Sequence, residues 1–297
     1  MTRVLCLGGV VVDRVYTVDR LPSGGGKTLV RDARVGGGGI AATAACAIVA
    51  LGGEALWIGP VGDDDAGSQA LRLLEIRGVD ISGAQVAPGL PTPIATALVD
   101  LHGERHLIVH RSPALDVTPV RLPDFDAVMV DHRHPAAAQA ALSEGRSRGL
   151  PAVLDADDGS PDHVRVLVGA AGHVVFSRSA LTSFTGGDDP AAALEAAAQA
   201  GVAPDTVLGV TLGERGSLFR VSGATIEIGT PRVRARDTTG CGDVFHGAYA
   251  LALAECRAVT EAARFAAAAA ALKAQAGRGW DGMPGRPAVE ELMEGDW

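Results

Sequence analysis

The chain has 297 residues, of which 47% are hydrophobic but only 4% aromatic, so its core must consist mainly of Ala, Val, Leu and Ile. This length suffices for one large α/β domain or two small ones. The net charge is −9, and we find neither a lysine and arginine block nor a basic stripe with interleaved aromatics, which argues against nucleic acid as a partner.

Cysteine usage and hydropathy suggest the compartment. The four cysteines form no Cys-x-x-Cys pair and no metal-ligand spacing, as is typical of free thiols in a reducing cytoplasm. Residues 4–12 form a short apolar run that is broken by glycine and lacks a cleavage site, so we interpret it as a strand and not as a signal peptide. No apolar stretch is long enough to span a membrane. We expect a cytoplasmic protein without membrane contact.

The first predicted element, Val4 to Val12, is apolar on both faces, as in a central parallel strand. Asp13 would follow its carboxyl end, where open α/β sheets gather their ligands, and is either a ligand for substrate hydroxyls or a turn residue. The next segment, Tyr16 to Val35, alternates as short antiparallel strands do. Within it, Lys27 follows three glycines and either faces a ligand or is solvated.

Four glycines at 36–39 precede an alanine-rich helix that stops at Gly52. Gly37, Gly38 and Gly39 either let the backbone approach a substrate or let the helix pack closely on the sheet. Residues 62–67 contain three consecutive aspartates, which we interpret as a loop and helix cap in preference to a metal site.

Basic residues follow two further predicted elements. Ile94–Val99 and Arg105–His110 read as paired strands, on which His110 is either exposed or contacts an anionic ligand. The strand Ala127 to Val130 ends in Asp-His-Arg-His, at the edge where ligands bind. Arg133 is the residue we expect to make a bidentate anion contact.

Strands and helices then alternate. Strands are predicted at 152–154, 174–177 and 206–212, and helices at 136–147, 189–200 and 261–276. The last of these strands runs into Thr-Leu-Gly-Glu-Arg-Gly at 211–216, which alone would be only a hairpin turn.

Residues 236–247 read Arg-Asp-Thr-Thr-Gly-Cys-Gly-Asp-Val-Phe-His-Gly, with an apolar helix predicted from Val244 to Glu255. The glycines therefore fall at a helix N-terminus, where unpaired N–H groups and the helix dipole bind anions. A carboxylate there, Asp243, would repel a phosphate unless it abstracts a proton. The alternative for Asp243 is ordinary capping.

This stretch resembles the Asp-Thr-x-Gly-Ala-Gly-Asp signature of the ribokinase-like (PfkB) carbohydrate kinases, with Cys241 in place of the alanine. The resemblance implies a ribokinase-like three-layer α/β/α fold with a mostly parallel sheet. It also implies one domain over residues 1–297, a small β-sheet lid formed by segments of about 14–34 and 94–112, and a homodimer through the lid.

The same resemblance implies an ATP-dependent kinase that uses Mg²⁺. The catalytic residues would be Asp243 as the base, with the N–H groups of Gly240, Cys241 and Gly242 binding the transferred phosphoryl group. The nucleotide would be bound at Thr211, Gly213, Gly216 and Thr238. The family's Asn-x-x-Glu motif is replaced, with Ser177 and Ala180 at its ends, so the metal ligands are left unassigned.

For the substrate, the closest resemblance is to 6-deoxy-6-sulfofructose kinases, which share Ala-Ala-Thr at 41–43 where most relatives carry Asn. The expected substrate-binding residues are Asp13, Lys27, Gly37, Gly38, Gly39, His110 and Arg133. Lys27 and Arg133 would hold an anion, with His110 near the position of a missing asparagine. Fructose 6-phosphate, tagatose 6-phosphate and a neutral sugar remain alternatives. A nucleoside kinase and a non-catalytic sugar-binding protein are less favoured.

Overall fold

Two sheets organise the chain, and the computed structural model describes residues 1–118, 121–159, 161–295 and 297. Within these residues, the strands in chain order are β1 (Arg3–Leu7), β2 (Val11–Val18), β3 (Val30–Gly38), β4 (Glu54–Gly62), β5 (Asp80–Ala87), β6 (Ile94–Val99), β7 (Arg105–His110), β8 (Ala127–Asp131), β9 (Ala152–Ala156), β10 (His173–Ser177), β11 (Val207–Thr211), β12 (Ser217–Val221) and β13 (Ala224–Ile228).

Helices connect most of the strands. They are α1 (Ile40–Ala50), α2 (Asp65–Glu75), α3 (Pro135–Ser147), α4 (Pro161–Leu167), α5 (Arg178–Thr185), α6 (Pro190–Ala198), α7 (Cys241–Ala254), α8 (Val259–Ala276) and α9 (Arg286–Met293).

The large sheet has the order β13-β12-β11-β10-β9-β8-β1-β4-β5 in the described part of the chain. From β11 to β5 in this order, all neighbouring strands are parallel, and β12 and β13 add an antiparallel edge beside β11. The predicted mostly parallel sheet is confirmed. The interior strand β1 places Cys6 between Trp57 of β4 and Met129 of β8.

Side-chain alternation along β1 divides the core into two layers. Val4 and Cys6 pack with α1, α7 and α8 on one face, whereas Leu5 and Leu7 pack with α3 to α6 on the other. Because successive residues of a strand point to opposite faces, one apolar strand supplies both layers. The three-layer α/β/α prediction is confirmed.

The small sheet has the order β3-β2-β6-β7, with β2 and β6 parallel and the outer pairs antiparallel. The predicted strands at 94–99 and 105–110 are confirmed. The structure corrects the prediction of a single strand from Val4 to Val12. The chain leaves the large sheet at Gly8, where a Cβ would overlap the Asp131 carboxylate, and re-enters the small sheet as β2. Asp13 therefore lies within β2 and does not follow a strand of the large sheet.

Two local expectations have clear outcomes. Asp64 caps α2, since its Oδ1 accepts a hydrogen bond from the Gly67 N–H at 2.8 Å, which confirms the capping interpretation of the three aspartates. Residues 36–38 finish β3 instead of opening the helix, and α1 begins at Ile40 after Gly39. The sequence analysis did not predict β5, α4, α5 or α9.

Candidate active site

The N-terminus of α7 presents free backbone donors. Gly240 precedes the helix with φ of 74°, a left-handed conformation that suits glycine, and no side chain caps the end. In the described part of the chain, the N–H groups of Gly240, Gly242 and Asp243 donate no hydrogen bond. The space around Gly242 is open for 4 Å where a Cβ would stand. This is an anion cradle of the kind that helix N-termini provide.

Cys241 departs from its predicted role. Its N–H already donates to the Thr238 carbonyl oxygen at 3.2 Å, so it is not free to bind an anion. The helix begins three residues earlier than the sequence indicated, at Cys241 and not at Val244, and this places the N–H of Asp243 inside the first turn. The cradle therefore consists of the Gly240, Gly242 and Asp243 donors.

The Asp243 carboxylate lies beside this cradle. Its burial, followed by repulsion from Asp155, raises its pKa well above the ordinary value of an aspartate, although the His246 charge opposes the shift. A Cβ at Gly240 would stand 3.7 Å from Asp243 Oδ2 and 3.4 Å from Thr43 Cγ2, so the carboxylate faces the first turn of α1. A carboxylate with a raised pKa next to an anion cradle can act as a general base.

His246, one turn further along α7, was missed by the sequence analysis. Its Nδ1 is 2.8 Å from Asp155 Oδ2 and 2.7 Å from the Gly242 carbonyl oxygen, and its Nε2 is 3.1 Å from the Val175 carbonyl oxygen. The pair is almost completely buried, with 3% of each side chain exposed. The only sequence signal was its i+3 spacing from Asp243, which places both residues on one helix face.

Asp13 faces the entrance to α1. A Cβ at Gly38 would overlap the Asp13 carboxylate, and burial raises the pKa of Asp13 to about 6. Thr43 lies one helical turn after Gly39, so Asp13 and Asp243 border the same turn of α1, about 6 Å of helix axis at the usual rise per residue. The small sheet therefore brings one carboxylate, and α7 the other, to the N-terminal turn of α1.

The glycines before α1 are required by close packing within the protein. A Cβ at Gly37 would overlap the indole of Trp280, and one at Gly39 would stand 2.5 Å from the Gly9 carbonyl oxygen. The packing interpretation thus accounts for both residues, and Gly39 adds a positive φ of 96°. Only the backbone of these residues is available for a substrate.

Arg133 lies at the ligand-binding edge of the large sheet. It is exposed, and its Cδ would be 3.1 Å from a Cβ placed on Gly9, so the side chain runs along the end of β1. The neighbouring Asp131 is fully buried and accepts hydrogen bonds from the Gly9 N–H at 2.8 Å and the Arg133 N–H at 2.9 Å. These bonds fix the loop from which the guanidinium extends.

The other expected cations lie differently. Lys27 is exposed in the segment between β2 and β3. His110 pairs across the sheet with Ile94, which pairs with Val12, whereas Asp13 pairs with Ala95, which pairs with Val109. Because directly paired residues share a face, His110 points to the face opposite Asp13 and does not join it around one ligand.

Arg105 instead links the small sheet to the signature stretch. It lies on the same face of the sheet as Asp13, hydrogen-bonds the Thr239 hydroxyl, and its Nη1 is 3.6 Å from Asp237 Oδ1. Asp237 also accepts the Thr239 N–H at 2.9 Å. These contacts and the Lys273 charge outweigh burial and hold the pKa of Asp237 below its ordinary value, so Asp237 is an ionised anchor of the loop.

The expected nucleotide residues lie at the next strands. Thr211 ends β11, and the loop after it carries Gly213 and Gly216, both with positive φ. A Cβ at Gly216 would overlap the Ile228 carbonyl oxygen. Thr238 is exposed at the start of the cradle. Since His246 ties α7 to β10, which neighbours β11, all four positions lie at one end of the large sheet.

No group of three or more His, Cys, Asp or Glu side chains is placed to hold a metal ion among the described residues.

The helices of that part of the chain include none with the length and hydropathy of a membrane span.

Comparison with known proteins places the whole chain in one family. The model of the pfkB family carbohydrate kinases matches residues 1–284. Ribokinase of Bacillus subtilis is 28% identical over 99% of this chain and 100% of its own length. An ATP-dependent ribose-1-phosphate kinase of Halopiger xanaduensis is 35% identical, but over 52% of this chain and 54% of its own length.

A solved structure agrees over the full length. The crystal structure of a candidate ribokinase from Agrobacterium tumefaciens superposes with a TM-score of 0.92 at 36% identity, and covers 99% of this chain and 97% of that one. This three-layer α/β/α fold with its small second sheet is that of the ribokinase-like sugar kinases. The chain belongs to the pfkB family of carbohydrate kinases. The predicted family, fold and sugar kinase activity are confirmed.

Proposed function

We propose that this kinase transfers the γ-phosphoryl group of ATP to a primary hydroxyl of an anion-bearing ketose, with 6-deoxy-6-sulfofructose as the first candidate. The observation that carries the chemistry is the Asp243 carboxylate beside the unpaired N–H groups at the start of α7. Phosphoryl transfer needs little more from a protein than a positioned nucleophile and stabilised charge.

The step follows from that arrangement. Asp243 accepts the proton of the sugar hydroxyl while the oxygen of that hydroxyl bonds to the γ-phosphorus. The bond from the γ-phosphorus to the bridging oxygen breaks, and ADP leaves with that oxygen. The N–H groups of Gly240, Gly242 and Asp243 donate to the oxygens of the transferred group, where charge develops. The residues at 211–216 and Thr238 would hold the remainder of the nucleotide.

Mg²⁺ would accompany ATP and neutralise the phosphate charge. Magnesium in kinase sites is held by one or two carboxylates together with substrate phosphates and water. The lack of a three-ligand cluster in the described residues fits an ion held largely by the nucleotide. We assign no step to the metal.

The sugar would bind between the small sheet, acting as a lid formed by segments of about 14–34 and 94–112, and the large sheet, so that residues 1–297 work as one domain. Asp13 would accept hydrogen bonds from sugar hydroxyls, since burial leaves its carboxylate without a charged partner in the described contacts. The backbone at Gly37, Gly38 and Gly39 would border the sugar.

Arg133 supports the anionic end of the substrate. Its exposed guanidinium at the end of β1 is suited to a sulfonate or phosphate. Lys27 would join it from the lid, and Arg105 is a further cation on the lid face that carries Asp13. The relative that acts on ribose 1-phosphate is consistent with an anion-bearing sugar. Fructose 6-phosphate and tagatose 6-phosphate suit the same cations.

A neutral sugar is the second candidate, because the full-length match to a ribokinase favours it. The Ala41 to Thr43 run, which lacks the asparagine expected of simple sugar kinases, argues the other way. A homodimer through the small sheet is part of the proposal, and a cytoplasmic location stays a prediction.

The test is an ADP-release assay with ATP and Mg²⁺ on 6-deoxy-6-sulfofructose, fructose 6-phosphate, tagatose 6-phosphate, fructose, ribose and adenosine. We expect turnover of the anionic ketoses. In Arg133→Ala, KM for these substrates should rise at least tenfold, because the loss of one charged hydrogen bond costs about 1.4 kcal/mol or more in binding free energy. Arg148→Ala is the matched control, since Arg148 lies over Phe125 at the opposite edge of the sheet. Turnover of ribose or fructose alone would overturn the anionic substrate.

The variant Asp243→Asn tests the catalytic step independently of which sugar is the substrate. Its kcat should fall by about 10²–10⁴-fold with little change in KM, since the amide cannot take the proton. Undiminished turnover in this variant would remove Asp243 from the role of base.

A further inference from the structure

His246 is enclosed by hydrogen-bond acceptors. Nε2 faces the Val175 carbonyl oxygen at 3.1 Å, and Nδ1 faces both the Gly242 carbonyl oxygen at 2.7 Å and Asp155 Oδ2 at 2.8 Å. A neutral imidazole has one donor nitrogen and one acceptor nitrogen. Either neutral tautomer would therefore direct a lone pair at a carbonyl oxygen inside the core.

The arrangement is satisfied only when both ring nitrogens carry protons. The ring then donates to both carbonyls and forms a buried ion pair with Asp155. Burial alone would lower the pKa of His246, but the Asp155 charge and the two carbonyl bonds raise it to about 9. Burial also raises the pKa of Asp155, although the charge and hydrogen bond of His246 oppose that shift. The assignment of an imidazolium at neutral pH therefore rests on the geometry, because each ring nitrogen faces a carbonyl oxygen.

The Gly242 carbonyl connects this charge to the site. It belongs to the same peptide unit as the Asp243 N–H, one of the unpaired cradle donors. A proton held at one end of a peptide unit polarises it and strengthens the donor at the other end. The same hydrogen bond fixes the orientation of the residue that carries the base.

Negative charge surrounds Asp243 from several elements. Its pKa is raised by burial and then by Asp155, with smaller contributions from Asp157 after β9 and Asp131 at the end of β8. His132 also lies near Asp155, and Cys241 near Asp243, but burial lowers the pKa of His132 and raises that of Cys241, so both are neutral. Lys273 of α8 donates to the Thr239 carbonyl oxygen at 3.3 Å, and its charge acts on Asp237 and Cys241. His246 is the cation whose charge opposes the raised pKa of Asp243.

We propose that His246 is a positioning residue, an imidazolium at neutral pH that pairs with Asp155, orients the Gly242–Asp243 peptide and opposes protonation of the base. The inference rests on the proposed role of Asp243. The His246–Asp155 pair would thus serve phosphoryl transfer through the Gly242–Asp243 peptide, without contact between either side chain and the substrate.

The pH profile of kcat/KM tests the electrostatic part. In His246→Gln the acid limb should move to higher pH by about 1–3 units, the range for loss of a neighbouring opposite charge. Activity should recover towards the wild-type value at high pH. An equal loss of activity at every pH would mean that His246 serves packing alone and would overturn the proposal.

His173→Gln is the matched control. His173 is also largely buried, but its Nδ1 contacts the Tyr249 hydroxyl at 2.9 Å, remote from the carboxylates, and burial lowers its pKa to about 4. This variant should keep the wild-type acid limb. A limb that moves equally in both variants would show a general effect of losing a buried histidine and would contradict the inference.

The ¹⁵N resonances of His246 in the wild-type chain test the charge without a variant that might fail to fold. Both ring nitrogens should show protonated shifts that stay constant from pH 6 to 8, whereas a neutral tautomer or a midpoint near 6.5 would overturn the proposal. Asp243→Asn is assayed in parallel. If it keeps turnover, the base is wrong; if it is inactive while His246 is neutral, only this inference fails.

Discussion

Asp243 carries two demands that oppose each other at the residue scale. As the proposed base, it must be ionised to take a proton, yet burial and the nearby Asp155 disfavour its charge. A base is most useful when its pKa approaches the working pH, because it then holds a proton well without staying protonated. The raised pKa of Asp243 is thus suited to base catalysis in a way that an ordinary exposed aspartate is not.

The first prediction concerns the acid limb of the wild-type enzyme. As pH falls, Asp243 gains a proton and can no longer accept one from the sugar, so kcat/KM declines below its folded-state pKa. Because that pKa is raised, the decline should begin well above pH ~4, the ordinary range of an aspartate. A kcat/KM profile that stays flat down to pH ~5 would contradict this assignment.

The second prediction concerns stability, at His173. Burial, with a smaller effect of the Arg146 charge, lowers its pKa from 6.5 to about 4. The unfolded chain then binds the proton more readily than the folded one between these values. The favourable contribution is complete above pH 6.5 and is lost as pH falls towards 4, by about 3 kcal/mol at 1.4 kcal/mol per unit.

Urea unfolding of the wild-type chain and of His173→Gln measures this effect. The free energy of unfolding should drop less between pH 7.5 and 5 in the variant than in the wild type. His102→Gln, at an exposed turn, is the control and should behave as the wild type. Equal pH dependence in all three chains would show that folding does not lower the pKa of His173.

At the element scale, the site depends on how closely α7 approaches α1. Gly247 makes this approach possible, since a Cβ there would stand 2.6 Å from the Ala44 carbonyl oxygen. The alanines of α1 are small for the same reason, and Thr43 packs beneath Gly240. The position of Asp243 relative to the start of α1 is therefore set by a helix contact without bulky side chains.

The third prediction is that Gly247→Val destabilises the fold by about 3 kcal/mol, the upper range for overpacking, because backbone and not a flexible side chain opposes the new atoms. The change should also lower kcat by displacing Asp243. Chemical denaturation and steady-state kinetics measure both. Gly187→Ala, with 3.7 Å to its nearest neighbour, is the control. An unchanged midpoint in Gly247→Val would mean that the helices separate at no cost.

Sequence patterns were sufficient for most elements and for the cradle, because apolar strands, alanine-rich helices and glycine turns are local features. Asp13 was placed at the wrong kind of element, since the chain bends at Gly8, where the close approach of Asp131, a residue more than a hundred positions away, leaves no room for a side chain. His246 and Asp155 were missed for the same reason. Their pairing joins α7 to the end of β9, and no local pattern predicts such a contact.

At the scale of the whole molecule, the small sheet leaves apolar side chains in solvent. On the face opposite Asp13, Val35 is 51% exposed and Ile108 is 56% exposed, and the register places them at the two ends of one row across β3, β2, β6 and β7, with Arg14 and Thr96 between them. Exposed apolar groups on a sheet face are a feature of association surfaces. The proposed homodimer would bury this face.

The last prediction is that Ile108→Glu abolishes the dimer. A carboxylate on each copy would replace an apolar contact in the buried face and would have to lose its hydration there, which costs more than that contact contributes. Light scattering coupled to size-exclusion chromatography should give a dimer for the wild type and a monomer of about 30 kDa for the variant, against a chain mass of 30.2 kDa. Ile76→Glu is the matched control, since Ile76 is 74% exposed at the end of α2 and outside the small sheet. A wild-type monomer, or a dimer that survives Ile108→Glu, would show that this face is not the interface.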